Sequence, residues 1–129
     1  MRLSRRFALT TAALGALVVS SVALAAGGVV GRYTTTVSKP AEASGKWTLE
    51  FARGSSYSVA RNGKVVARGK YAATATTVTF LRETGSGCTG RGTYTWKRSG
   101  KTMTFVRKQE APSCRGRAAI LAHRFTQVR

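Results

Sequence analysis

Residues 45–71 read GKWTLEFARGSSYSVARNGKVVARGKY, three short apolar-patterned runs separated by turn residues. In KWTLEF, Trp47, Leu49 and Phe51 share one face, with Lys46, Thr48 and Glu50 on the other. Alternation with period two marks a strand half buried in a sheet. After Gly54 the pattern resumes with Tyr57 and Val59, and Asn62-Gly63 interrupts it. Asn-Gly suits the left-handed backbone of a two-residue hairpin turn. Beyond the turn, Val65, Ala67, Gly69 and Tyr71 fall in one phase.

The same alternation extends downstream. TTVTFLR places Val78 and Phe80 together, and RGTYTWK places Gly92, Tyr94 and Trp96 together. After Ser99-Gly100, KTMTFVRK places Met103 and Phe105 together. Six strands joined mainly by tight turns make an antiparallel meander. Arg117 to Ala122 reads as a short helical turn and His123 to Val128 as a closing strand. A meander with one apolar face must bury that face and protect its edges, and curling into a barrel does both. The expected fold is all-β, a small antiparallel up-and-down barrel of seven or eight strands over residues 45–129, with one disulfide.

Upstream, the chain opens with Arg2, Arg5 and Arg6, continues through AALGALVV and reaches Ala23-Leu24-Ala25. This order reads as a secretory signal peptide at residues 1–25, cleaved after Ala25. A retained anchor over residues 7–31 is the alternative, since that run holds no charge until Arg32. Arg5-Arg6 also fits a twin-arginine signal. Every version sends the domain outside: secreted and extracellular, or held on the outer side of the cytoplasmic membrane. Residues 26–44 contain Gly27, Gly28 and Pro40 with little apolar mass and read as a flexible linker, although VVGRYTTTV has some strand character.

In an exported domain, two cysteines most simply pair, giving a Cys88–Cys114 bridge; two buried free thiols are the alternative. These cysteines and His123 are too few for a metal site, so no metal is expected. The chain has no aspartate, and its four acids are Glu42, Glu50, Glu83 and Glu110. Only Glu83 with Glu110 offers a carboxylate pair for acid–base work. His123 reads as a rim or packing residue, and no glycine loop suited to phosphate is present. The expectation is a protein that is not an enzyme and needs no cofactor.

Binding is the better prospect. Alternate strands of a meander end at one rim, and three of them carry inward-phase residues that finish in arginine: Arg61, Arg82 and Arg107. If they converge beside the cysteines, they form a basic mouth for an anionic head above Tyr57, Tyr94 and Trp96. The alternative is that these strand-end arginines splay into solvent. The net charge is +18, and removing residues 1–25 with their three arginines leaves +15. Such a charge attracts an anionic cell-envelope polymer or an acidic lipid surface. Nucleic acid is disfavoured, because no aromatic platform is assigned to the outer face. A monomer is expected, with peripheral or N-terminal membrane association as an option.

Gly45-Lys46-Trp47 resembles the G-x-W of lipocalins and related calycin barrels. Asn62-Gly63, Gly92-x-Tyr94-x-Trp96, and Arg117 three residues after Cys114 extend the likeness to the small lipocalin-like barrels of secreted bacterial proteins. The resemblance implies that a late basic residue, Arg117 or else Arg115 or Arg124, packs on Trp47. With the basic mouth and the net charge, the expected function is a non-enzymatic lipocalin-like barrel that binds a small anionic or amphipathic ligand or an anionic envelope polymer. Some bacterial metalloprotease inhibitors are similar small barrels with one disulfide, so inhibition through the N-terminal segment is the alternative function. A structural protein adhering to anionic envelope polymer is a third.

Overall fold

In a computed structural model that describes residues 28–129, the alternation is realised as eight antiparallel strands. They are β1 (Gly31–Val37), β2 (Gly45–Phe51), β3 (Ser56–Arg61), β4 (Lys64–Ala73), β5 (Thr77–Thr84), β6 (Gly92–Ser99), β7 (Thr102–Gln109) and β8 (Phe125–Val128). Each pairs with its neighbour in sequence and β8 returns to β1, so the meander closes as a barrel with no free edge. One short helix, α1 (Arg115–Leu121), precedes β8.

β1 corrects the expected linker at residues 26–44. Gly31–Val37 pairs along its length with β2, from Gly31 opposite Phe51 to Val37 opposite Gly45, and with β8 on its other side. Tyr33 and Val37 point inward and are buried. The threonines between them read as polar in a hydropathy pattern, yet their β-branched side chains suit a strand. The expected signal at residues 1–25 lies outside the described residues. Among the described residues no helix is long and apolar enough to cross a membrane.

The core is a column of aromatic rings centred on Phe51, which is 1% exposed. Its ring lies 4.9 Å from Tyr71, 5.8 Å from Phe80 and 6.3 Å from both Tyr33 and Phe105, centroid to centroid. The barrel end where β1 begins is plugged. Val29 is fully buried there, the Tyr33 hydroxyl donates to its carbonyl at 3.0 Å, and Arg98 donates to the Gly28 carbonyl at 3.1 Å. The Trp96 indole N–H donates to Thr74 O at 3.0 Å at this same end.

The opposite end carries the long connections, α1 and the Cys88–Cys114 disulfide, which joins residues 26 apart. Closing a loop of that length restricts the unfolded chain and contributes about 3 kcal/mol. Because α1 begins at the residue after Cys114, the bridge also fixes where the helix starts. Urea unfolding with and without reductant is therefore expected to show a loss of about 3 kcal/mol on reduction. An unchanged midpoint would mean that the loop is held by other contacts.

Candidate functional site

Three register shifts shape the cysteine end. In β4 the extra residue is Val66, because Val59 faces Ala67 and Ala60 faces Val65. Between β4 and β5, Arg82 and Glu83 together stand opposite Gly69, and Arg82 takes φ 51°. Between β6 and β7, Lys108 has no partner of its own. An inserted residue exchanges the two faces of everything beyond it. Val65 accordingly turns outward against its sequence phase. Arg82 and Arg107 are exposed, while Glu83 and, just past β7, Glu110 turn into the barrel with side chains only 4% and 3% accessible.

Both acids meet Arg117, which α1 carries inward. Its Nη2 and Nε donate to the two Glu110 oxygens at 2.6 and 2.9 Å, a two-pronged contact. Nη2 also donates to Gly90 O at 2.8 Å, and Nη1 stands 3.7 Å from Glu83 Oε1. The Tyr57 hydroxyl donates to Glu83 Oε1 at 2.7 Å, and Ser86 Oγ donates to the other oxygen. The Tyr94 hydroxyl and the Ala111 amide donate to Glu110. Among the described residues, Arg117 Nη1 is the buried side-chain polar atom that lacks a hydrogen-bond partner. Gly92 makes room for the cluster, since a Cβ there would come within 2.5 Å of the Glu110 carboxylate.

Burial opposes ionisation of Glu110, Arg117, Tyr57 and Tyr94, and contacts add to or outweigh it. For Glu110, hydrogen bonds from Arg117 and Tyr94 and the Arg117 charge outweigh desolvation and hold its carboxyl below the usual range. Desolvation disfavours the Arg117 cation, but its bonds to Glu110 and the two nearby carboxylates prevail and raise its pKa. Tyr57 and Tyr94 are pushed upward by burial first, then by donating to Glu83 and Glu110 respectively.

Beside the cluster lies a cavity of about 470 Å³, within the size range of small-molecule sites, about 300–1,000 Å³. Trp47, Leu49 and Val59 form one wall and Ile120, Leu121 and Phe125 another. Tyr57, Glu83 and Arg117 supply its polar patch, and the exposed Glu42, Ser86 and Arg115 stand at its rim. Trp47 is fixed by its indole N–H to Ala43 O at 2.8 Å.

The residues singled out by sequence are distributed as follows. The Cys88–Cys114 bridge is formed. Tyr57 and Tyr94 face inward, bound to the buried acids, whereas Trp96 lies toward the plugged end. Arg61, Arg82 and Arg107 do not share a mouth. The β4–β5 bulge turns Arg82 outside, Arg107 is exposed at the end of β7 although it pairs with inward Tyr94, and Arg61 donates to Ser44 O at 2.8 Å. The cation over Trp47 is Arg61, 5.5 Å from the ring, because β3 places it directly opposite Trp47. Arg117, expected there, stands over Phe80 at 5.5 Å. Gly45 begins β2, and its positive φ of 131° brings it beside Asn62 of the hairpin turn. Glu83 and Glu110 do come together, through Arg117 rather than as a free acid–base pair. His123 contacts Ala119 O at 3.0 Å, and among the described residues no cluster of three metal-ligating side chains occurs. No protein-family model, no curated protein and no solved structure matches the chain.

Proposed function

We propose that the chain is a non-enzymatic binding protein of lipocalin-like form, working outside the cell, whose cavity beneath α1 takes one small, mainly apolar ligand. The observation that carries this reading is a largely apolar chamber in which the buried Glu83 and Arg117 lie together with Tyr57. Apolar walls supply affinity in proportion to the area they dry, and a few fixed polar groups orient the ligand. Nothing in the cluster is poised for catalysis, because each carboxylate is already engaged by a cation and a tyrosine.

The cluster also selects a head group. Two carboxylates face one guanidinium, so a carboxylate head would add a negative charge to an excess already present. An ammonium head would stand against Arg117. A neutral amide or hydroxyl accepts from Nη1, which lacks a partner, and donates toward Glu83. The anionic head expected from sequence relied on a basic mouth that Arg61, Arg82 and Arg107 do not form.

Titration of Trp47 emission with octanamide, octanoate and octylammonium tests this. Octanamide is expected to bind saturably and about tenfold more tightly than either charged analogue. The response should persist in Trp96→Phe and disappear when Ala67→Leu fills the chamber, with circular dichroism confirming the fold. Equal binding of all three, or tighter octanoate, would refute the head-group assignment. No saturable response to any of them would refute the cavity reading.

A further inference from the structure

The bulge that buries Glu83 has an outer consequence at Arg82. Arg68 and Lys70 lie two apart on β4, and Gly69 between them is covered from inside by the Tyr57 ring, which a Cβ would meet at 2.6 Å. Arg82 stands opposite Gly69, turned outward by its positive φ, and Thr84 pairs with Arg68. On the other side Ser56 pairs with Lys70 and accepts from its Nζ at 2.9 Å. These residues and Tyr57 line a surface cleft of about 350 Å³ that holds three cations, the Ser56 and Thr84 hydroxyls and no carboxylate. None of the three cations is within ion-pair distance of an acid among the described residues.

The wider charge distribution points the same way. Three of the 22 basic residues precede residue 28, which leaves 19 in the described part beside all four acids. Two acids are spent inside on Arg117, so the other 18 basic residues share only Glu42 and Glu50. Most cations on this surface are spread along strands, but here one inserted residue gathers three around a concavity.

We propose that the Arg68–Lys70–Arg82 cleft is an oxyanion site for one phosphate-class group, separate from the cavity. Arginine forks match phosphate oxygens in pairs, Lys70 adds a compact charge, and the Ser56 hydroxyl, which accepts from Lys70, has its own proton to donate. The group arrives on a free phosphate compound or on a lipid headgroup, and the two sources give different results below.

Nitrogen-15 NMR of the full, oxidised chain titrated with inorganic pyrophosphate at low salt is the test. Saturable shifts are expected at the amides of Ser56, Gly69, Lys70, Arg82 and Thr84. Arg68→Gln/Arg82→Asn should weaken binding about tenfold, and asparagine tolerates the positive φ at residue 82. Lys97→Gln/Lys101→Gln, which removes equal charge elsewhere, should leave it unchanged. Sedimentation with phosphatidylglycerol–phosphatidylcholine vesicles, against phosphatidylcholine alone, distinguishes the sources. Vesicle binding abolished by the cleft variant supports a lipid headgroup, and localised pyrophosphate binding without vesicle binding supports a free phosphate. Shifts spread evenly over all basic residues, equal losses in both double variants, or no binding of either probe would overturn the site.

Discussion

Replacing Arg117 with methionine is expected to destabilise the barrel by about 3–5 kcal/mol, the usual cost of removing one partner from a buried ionic cluster. Methionine keeps an unbranched stem against Phe80, so packing changes little. What remains is Glu83 and Glu110, buried and without their cation. The pH dependence gives a second signature. In the native protein the Glu110 carboxyl is held below its ordinary range. Its contribution is complete above the unfolded-state pKa and is lost as pH falls through the folded-state value. In the variant, protonation relieves an unpaired buried charge, so stability should rise as the medium is acidified through the carboxylate range. Urea unfolding at neutral and acidic pH reads both effects. The triple variant Arg117→Met/Glu83→Gln/Glu110→Gln should recover most of the loss at neutral pH. A single variant within about 1 kcal/mol of native would contradict the buried cluster.

Phe51→Ala is expected to cost a similar amount, about 3–5 kcal/mol. Its ring touches Tyr33, Tyr71, Phe80 and Phe105, contributed by four other strands, so neighbouring side chains cannot collapse into the space from one direction. The loss combines the transfer of a buried aromatic ring with the cavity left behind. Val106, 65% exposed on β7, is the matched control. Val106→Ala should change stability by no more than about 0.5 kcal/mol. Denaturant midpoints for the two variants would expose a misplaced core at once, because a small Phe51 effect cannot coexist with that ring cluster.

Strand alternation made β2 to β7 legible, since each carries apolar residues at every second position and ends near glycine or another turn residue. β1 was hidden because Thr34, Thr35 and Thr36 separate its two buried anchors, Tyr33 and Val37. The bulges were hidden for a different reason. Arg82-Glu83 and Arg107-Lys108 are polar at both adjacent positions, so an exchange of faces leaves the pattern unaltered. One residue of slip moved Arg82 from interior to exterior and two glutamates the other way, while Arg107, ahead of the extra Lys108, is exposed at the end of its strand. Arg61 over Trp47 was within reach of sequence reasoning, because the short connection at residues 52–55 pairs β3 with β2 and sets Arg61 opposite Trp47. Arg117 was not, as its direction depends on how α1 crosses the barrel end, which no local pattern encodes.

In the proposed function, the chamber between Trp47 and α1 receives an apolar ligand whose neutral head lies at the Glu83–Arg117 patch. Intermolecular nuclear Overhauser effects from carbon-13-labelled octanamide test it most directly. Contacts are expected from the alkyl chain to Trp47, Leu49, Ile120 and Leu121, with the labelled amide end nearest Tyr57. Contacts confined to outer strand faces, or none in a folded protein saturated with octanamide, would contradict it.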